Sequence, residues 1–184
     1  AVLEIFGDDL AAARTLVAAS GIGAGERYAV FHAASSSVSK CWPREHFVEL
    51  ACELVRRHSL RVVLVGDAAC AGTNRWIAAR VPGAVDLTGA TPLPVLAALC
   101  RSSQIVVSND SGPAHVAAAS GAAVISIFGR KERGLSERRW RPMGAKSRAL
   151  RKEVGCVVCL ADRCTIGFEC LRALAPAEVL AAVE

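Results

Sequence analysis

The sequence predicts an α/β protein built on a doubly wound, Rossmann-like parallel sheet. Three observations predict it. Short apolar runs alternate with helical patterns along most of the chain. The runs show no polar alternation, which marks strands covered on both faces. Two of them lead straight into turns, at Gly66-Asp67 and at Asn109–Pro113, where a helix then opens. Strands of this kind joined by right-handed crossovers stack helices on both sides of one sheet.

The elements follow in order. Asp8–Ser20 has an acidic cap, an Ala/Leu-rich body and Gly21 as a stop, and reads as a surface helix. Tyr28–His32 (YAVFH) is a strand, followed by a Ser-rich loop over Ala33–Trp42. Pro43–His58 is a helix with proline in its first turn and Phe47, Leu50, Ala51, Leu54 and Val55 on one face. Arg61–Val65 is an apolar strand, Ala69–Arg80 a helix stopped before Pro82, and Val85–Leu87 a short strand. A helix runs from Thr91-Pro92 to about Arg101, Gln104–Ser108 is a strand, and a short helix begins around His115–Ala119. Ala123–Phe128 is a further strand. A basic loop, a cysteine-rich stretch over residues 156–170 and a last helix at Pro176–Val183 complete the chain.

Composition bounds the function. With 184 residues, 53% hydrophobic and 21% charged, the chain has the content of one folded domain and not of a disordered segment. Its longest uncharged run, Ser111–Gly129, is broken at Gly112-Pro113 and Ser120-Gly121, so it is not a membrane span. There is no initiator methionine and no secretory or lipidation signal, so the expectation is a piece of a longer protein from a reducing compartment. Residues 130–153 hold ten Lys/Arg and three acids, a local +7 against +5 for the whole chain. That stretch is either a solvated loop or a contact for phosphates or an anionic membrane. Its single aromatic, Trp140, and the lack of a recognition motif argue against nucleic acid.

Candidate site residues gather where such sheets bind ligands, outside the carboxyl ends of the strands. Ser35, Ser36 and Lys40 supply hydroxyls and a cation suited to a phosphate. Asp110, Ser111 and Gly112 form a tight turn whose amides would face an anion, and His115 lies in the helical turn that follows. Asp67 either accepts from a ribose or caps the next helix. Cys156, Cys159, Cys164 and Cys170 form a close-spaced quartet: a four-thiolate zinc or iron site, two short-loop disulfides, or free packing thiols.

The motifs S-x-x-S-K-x-W-P (Ser36–Pro43), V-L-V-G (Val63–Gly66), L-T-G (Leu87–Gly89), N-D-S-G-P-x-H-x-A-A-A (Asn109–Ala119) and I-F-G (Ile127–Gly129) resemble glycosyltransferase family 9, the ADP-heptose:lipopolysaccharide heptosyltransferases and their relatives. The resemblance runs from Arg27 to the end. It implies the C-terminal, nucleotide-sugar half of a GT-B fold. Residues 1–26 would then be the lead-in from an N-terminal acceptor domain that supplies the general base, and residues 27–184 the donor domain. It further implies that the chain alone is inactive, that the anomeric centre is inverted, and that no cofactor or divalent ion is needed for chemistry. Carried over, Ser35, Ser36, Lys40, Ser111 and Gly112 would hold the donor diphosphate, Asp110 would shape the turn near the sugar, His115 would lie near the sugar or the phosphate, and Leu87 and Gly89 would flank the base. Lys40 and His115 would be the catalytic residues, stabilising the leaving group. The implied donor is ADP-heptose or another nucleotide-diphosphate sugar. The implied acceptor is a phosphorylated lipid or oligosaccharide at the inner face of the plasma membrane. Three departures stand out: Ala34 replaces a glycine, Cys70 replaces an acid, and Arg130-Lys131 replace a proline and a hydroxyl residue. The two cations are expected to pair with donor or acceptor phosphates. The remaining alternatives are a nucleotide-binding module without transfer activity and a metal or redox protein defined by its cysteines.

Overall fold

A computed structural model describes residues 2–184. Six parallel strands form one sheet in the order β3-β2-β1-β4-β5-β6. They are β1 (Tyr28–His32), β2 (Arg61–Leu64), β3 (Val85–Asp86), β4 (Ile105–Asn109), β5 (Val124–Ile127) and β6 (Ser147–Leu150). The helices are α1 (Gly7–Ala19), α2 (Arg44–His58), α3 (Ala71–Ala78), α4 (Leu93–Ser102), α5 (Gly112–Ala119), α6 (Glu137–Trp140), α7 (Glu169–Arg172) and α8 (Pro176–Val183).

The two-residue period of a strand divides the core in two. Ala29, Phe31, Val62, Leu64, Val107, Ile125 and Ile127 point to one face and pack against Phe47, Leu50, Ala51 and Leu54 of α2, with α7 and α8 alongside. Val30, Val63, Val106 and Val124 point to the other, against α1, α4 and α5. Each large side chain buried this way contributes about 1.5–3 kcal/mol. The small aliphatics of α5 (Ala114, Ala117, Ala118) bring that helix close to the sheet.

Three elements differ from the sequence reading. The basic stretch is not one loop: it contains α6 and an edge strand, β6, that pairs with β5 from Val124↔Ser147 to Ile127↔Leu150. Arg148 sits within β6 and masks its apolar pattern, as edge strands tolerate a charge on their open side. α5 starts at Gly112, because Pro113 suits a first turn that needs no N–H. At α1 the cap is Phe6, whose N–H donates to Asp9, and Asp8 lies inside the first turn.

The strand order reverses between β1 and β4, and one buried side chain bridges that point. Asn109, at the end of β4, donates from Nδ2 to the Ala33 carbonyl (2.9 Å) and accepts from the Trp42 N–H (3.0 Å) at Oδ1. It thereby clamps both ends of the Ser-rich loop. Trp42 is buried too and donates from Nε1 to the Leu174 carbonyl (2.9 Å). Asn109→Ala would orphan two buried backbone groups. It is expected to lower stability by about 3 kcal/mol, measured by urea denaturation. An unchanged midpoint would remove the clamp from the account.

Candidate functional site

Beyond the carboxyl ends of β1, β2 and β4 lies an open cavity of about 650 Å³. Its wall includes Ser35, Ser36, Lys40, Asp67, Gly89, Asp110, Ser111 and Gly112. Eight residues singled out from sequence therefore share one space. Two others do not reach it. Leu87 is buried in the core beneath, and His115, half-buried in the first turn of α5, does not form part of the wall.

Local chemistry explains the arrangement. Lys40 closes a 3-10 turn over Val38–Lys40, capped by the Ser37 hydroxyl. Its ammonium meets the buried Asp110 carboxylate at 3.1 Å. Asp110 thus consumes part of the lysine's charge while aiming it at the cavity. The Ser111 hydroxyl is held by Ser108 Oγ (3.1 Å) and His32 Nδ1 (3.0 Å), so Ser111 presents its backbone rather than its side chain. Gly112 opens α5, where N–H groups have no intrahelical acceptor and the helix dipole favours an anion.

Asp67 accepts from the Ala69 N–H (3.0 Å), which is the capping role, and its exposed carboxylate also lines the cavity. Gly66 has φ +151°, and a Cβ there would meet Cys70 Sγ at 2.5 Å. Burial and the neighbouring Asp67 push the Cys70 thiol up to about 11, so a neutral thiol stands where the resemblance expects an acid.

The sequence reading did not single out His32, Thr91, Pro92 or Leu96 for the site, and all four also line the wall. His32 carried a readable signal, because the last residue of a central strand opens onto the ligand edge. The residue is 7% exposed, and its ring lies between Ser111 Oγ and Cys70 Sγ. Burial pulls its pKa below the ordinary imidazole value.

Arg130 and Lys131 correct an expectation: neither lines this cavity. Arg130 is buried against Ser37, Ser39 and Asp162, and Lys131 donates to the Cys156 carbonyl and pairs with Glu153 (3.7 Å). Arg151 and Lys152 are likewise paired, with Glu137 and Glu178. Four of the ten cations in the basic stretch are thus paired. Arg133, Arg138, Arg139, Arg141 and Lys146 remain exposed, beside Trp140 and Met143, with no ion pair among the described residues.

The four clustered cysteines line a second cavity of about 280 Å³ as free thiols. Among the described residues no group of three or more His, Cys, Asp or Glu is placed to hold a metal ion. Two of the sulfurs are engaged by backbone. Cys170 Sγ donates to the Gly129 carbonyl (3.0 Å), and Cys164 Sγ accepts from the Phe168 N–H (3.3 Å). The zinc or iron expectation is not met by this arrangement, and no chemistry is routed through it.

A parallel sheet with a helix N-terminus, hydroxyls and an aimed lysine around its switch point has the makings of a phosphate-ligand site. The model of glycosyltransferase family 9 (heptosyltransferase) matches residues 4–168, and the chain belongs to that family. It is 30% identical over 125 residues to lipopolysaccharide heptosyltransferase 3 of Escherichia coli, an alignment covering 65% of this chain and 35% of that protein. Among solved structures, it superposes on E. coli ADP-heptose lipopolysaccharide heptosyltransferase II with TM-score 0.78 at 23% identity, covering 99% of this chain and 52% of that one. It also superposes on E. coli heptosyltransferase WaaC with ADP, with TM-score 0.66 at 24% identity over 84% of this chain and 42% of that one. At those identities the superpositions establish the fold. The chain spans about a third of the length of the curated relatives it matches.

His32 sets a pH dependence. Above about pH 6.5 its imidazole is neutral both folded and unfolded, and it contributes no slope. Below that value the unfolded chain takes up a proton that the buried ring resists, so stability falls with pH until the lowered folded pKa is passed. Melting temperatures from pH 7.5 to 5.5 should therefore drop less steeply in His32→Gln than in the parent. Parallel curves would show that this ring does not contribute.

Proposed function

We propose that this chain is the donor-binding half of a heptosyltransferase, holding a nucleotide-diphosphate sugar, with ADP-heptose as the donor. The observation that carries the reading is the meeting of Ser35, Ser36, Lys40 and the Ser111-Gly112 turn around one open cavity at the switch point. Membership of the family supports the choice of donor class.

The chemistry follows from the charges. Cleaving the bond between the anomeric carbon and the diphosphate oxygen leaves negative charge on that oxygen. A lysine fixed by Asp110 at 3.1 Å and backbone N–H groups at the start of α5 meet the growing charge with donors that do not reorganise. The Ser35 and Ser36 hydroxyls bind the adjoining phosphate oxygens. The acceptor, a lipopolysaccharide-type phosphorylated lipid or oligosaccharide, and the base that deprotonates its hydroxyl belong to a second half of the enzyme. Asp110 would then face the sugar and Gly89 the base, both from the cavity wall, whereas His115 stands outside that wall.

Isothermal titration with ADP tests the reading directly. The parent chain should bind ADP, and Lys40→Ala should weaken binding about ten-fold or more, with a much smaller effect on AMP. Equal ADP affinity in parent and variant would overturn the phosphate assignment. Heptosyl transfer is tested by assaying the chain joined to its N-terminal half.

The membrane side of the proposal rests on the unpaired cations. No helix among the described residues is long and apolar enough to cross a membrane. Arg138, Arg139 and Arg141 are exposed around Trp140 and Met143, a combination suited to the anionic inner face of the plasma membrane. Reversing the three arginines to glutamate should reduce sedimentation with anionic vesicles several-fold at low salt, and the difference should shrink at high salt. Vesicle binding unaffected by the reversal would make this segment an ordinary solvated surface.

A further inference from the structure

The cysteine-rich segment has no assigned role, yet it reaches the proposed diphosphate loop through one side chain. Asp162 lies in a 3-10 turn over Ala161–Arg163, between Cys159 and Cys164. Its two carboxylate oxygens accept from Arg130 Nη2 at 2.9 and 3.0 Å. Oδ1 also accepts from Ser39 Oγ (2.7 Å) and from Ser37 Oγ. Arg130 is itself buried and donates from Nε to Ser39 Oγ (2.6 Å) and from Nη2 to Ser37 Oγ (2.7 Å).

The bookkeeping of these hydrogen bonds fixes their direction. Each serine hydroxyl accepts from the guanidinium and donates its single proton to the carboxylate. The four groups close a ring in which each hydroxyl proton has an acceptor. Ser37 is the cap of the turn that ends in Lys40, and Ser39 is that turn's buried middle residue. The backbone of Gly129 presses on the same turn so closely that a Cβ there would meet Ser39 O at 2.6 Å. Lys40, one residue beyond Ser39, points into the cavity on the far side.

We propose that Asp162 is a positioning residue for the donor site: with Arg130 it locks the Ser37–Lys40 turn, so that the cysteine-rich segment sets where the lysine and the loop hydroxyls meet the diphosphate. This rests on the nucleotide-diphosphate reading above. Removing the carboxylate leaves the buried Arg130 charge without its partner and frees both serine hydroxyls to turn. The ring also holds the Asp162 carboxyl well below its ordinary value, at about 2, so the lock stays charged across the physiological range. The diphosphate loop then depends on a segment more than a hundred residues away in sequence, which a sequence reading of the Ser-rich loop does not reveal.

The experiment compares the parent chain with Asp162→Ala and Asp162→Asn, each checked for folding by circular dichroism. ADP affinity should fall about ten-fold in Asp162→Ala while AMP affinity changes less than about two-fold. Asp162→Asn, which keeps an acceptor oxygen but not the charge, should lie between. Hydrogen–deuterium exchange without ligand should show the amides of Ser39, Lys40 and Cys41 exchanging about ten-fold faster in Asp162→Ala. Unchanged ADP affinity in a folded variant, or equal losses for ADP and AMP, overturns the positioning role. If Asp162→Ala does not fold, the Asn variant and the exchange data decide. If the parent itself fails to bind ADP, the nucleotide reading is lost, and unchanged exchange rates would then overturn the lock separately.

Discussion

The Asn109 amide is the constraint on which the site depends. A parallel sheet that reverses its strand order leaves a gap between two diverging loops, and something must tie their backbones together. Asn109 does this with both ends of one amide, donating to Ala33 and accepting from Trp42. Its neighbour Asp110 then holds Lys40. Two motifs separated by some seventy residues are thus one physical unit: the side chains of the second fix the backbone and the cation of the first. The same turn frees the backbone at Ser111 and Gly112 to face the cavity.

Charge is deployed sparingly. A chain of net charge +5 with a basic stretch of +7 suggests a strongly positive surface. In the folded protein Arg130, Lys131, Arg151 and Lys152 are matched by Asp162, Glu153, Glu137 and Glu178. Within the cavity Lys40 is itself paired, so the cavity holds less free charge than a bare count of cations implies, with backbone donors and hydroxyls beside it. Groups fixed in this way need little rearrangement when charge develops nearby.

The cysteine-rich segment fits the same logic as a buttress. Two of its sulfurs bond to backbone at Gly129 and Phe168, Leu171 packs under Gly129, and Asp162 reaches the serine turn. Half-buried thiols and one ion pair packed against a loop hold that loop without a second large core.

Much of the fold was legible because its signals are local. The apolar runs at Tyr28–His32 and Arg61–Val65, the proline that opens α8 and the turn at Asn109–Pro113 each act through short-range chemistry. So the sequence alone determined the parallel sheet, the edge at which the cavity opens, and eight wall residues that share it. It did not determine β6, whose arginine hides an edge strand that exists only because β5 offers a partner. Nor did it place His32 in the wall, Arg130 in a buried ring away from the cavity, or Cys164 and Cys170 against the backbone of Phe168 and Gly129. Most of those are contacts between segments far apart in the chain. They depend on how loops settle over the sheet, which only the tertiary structure decides.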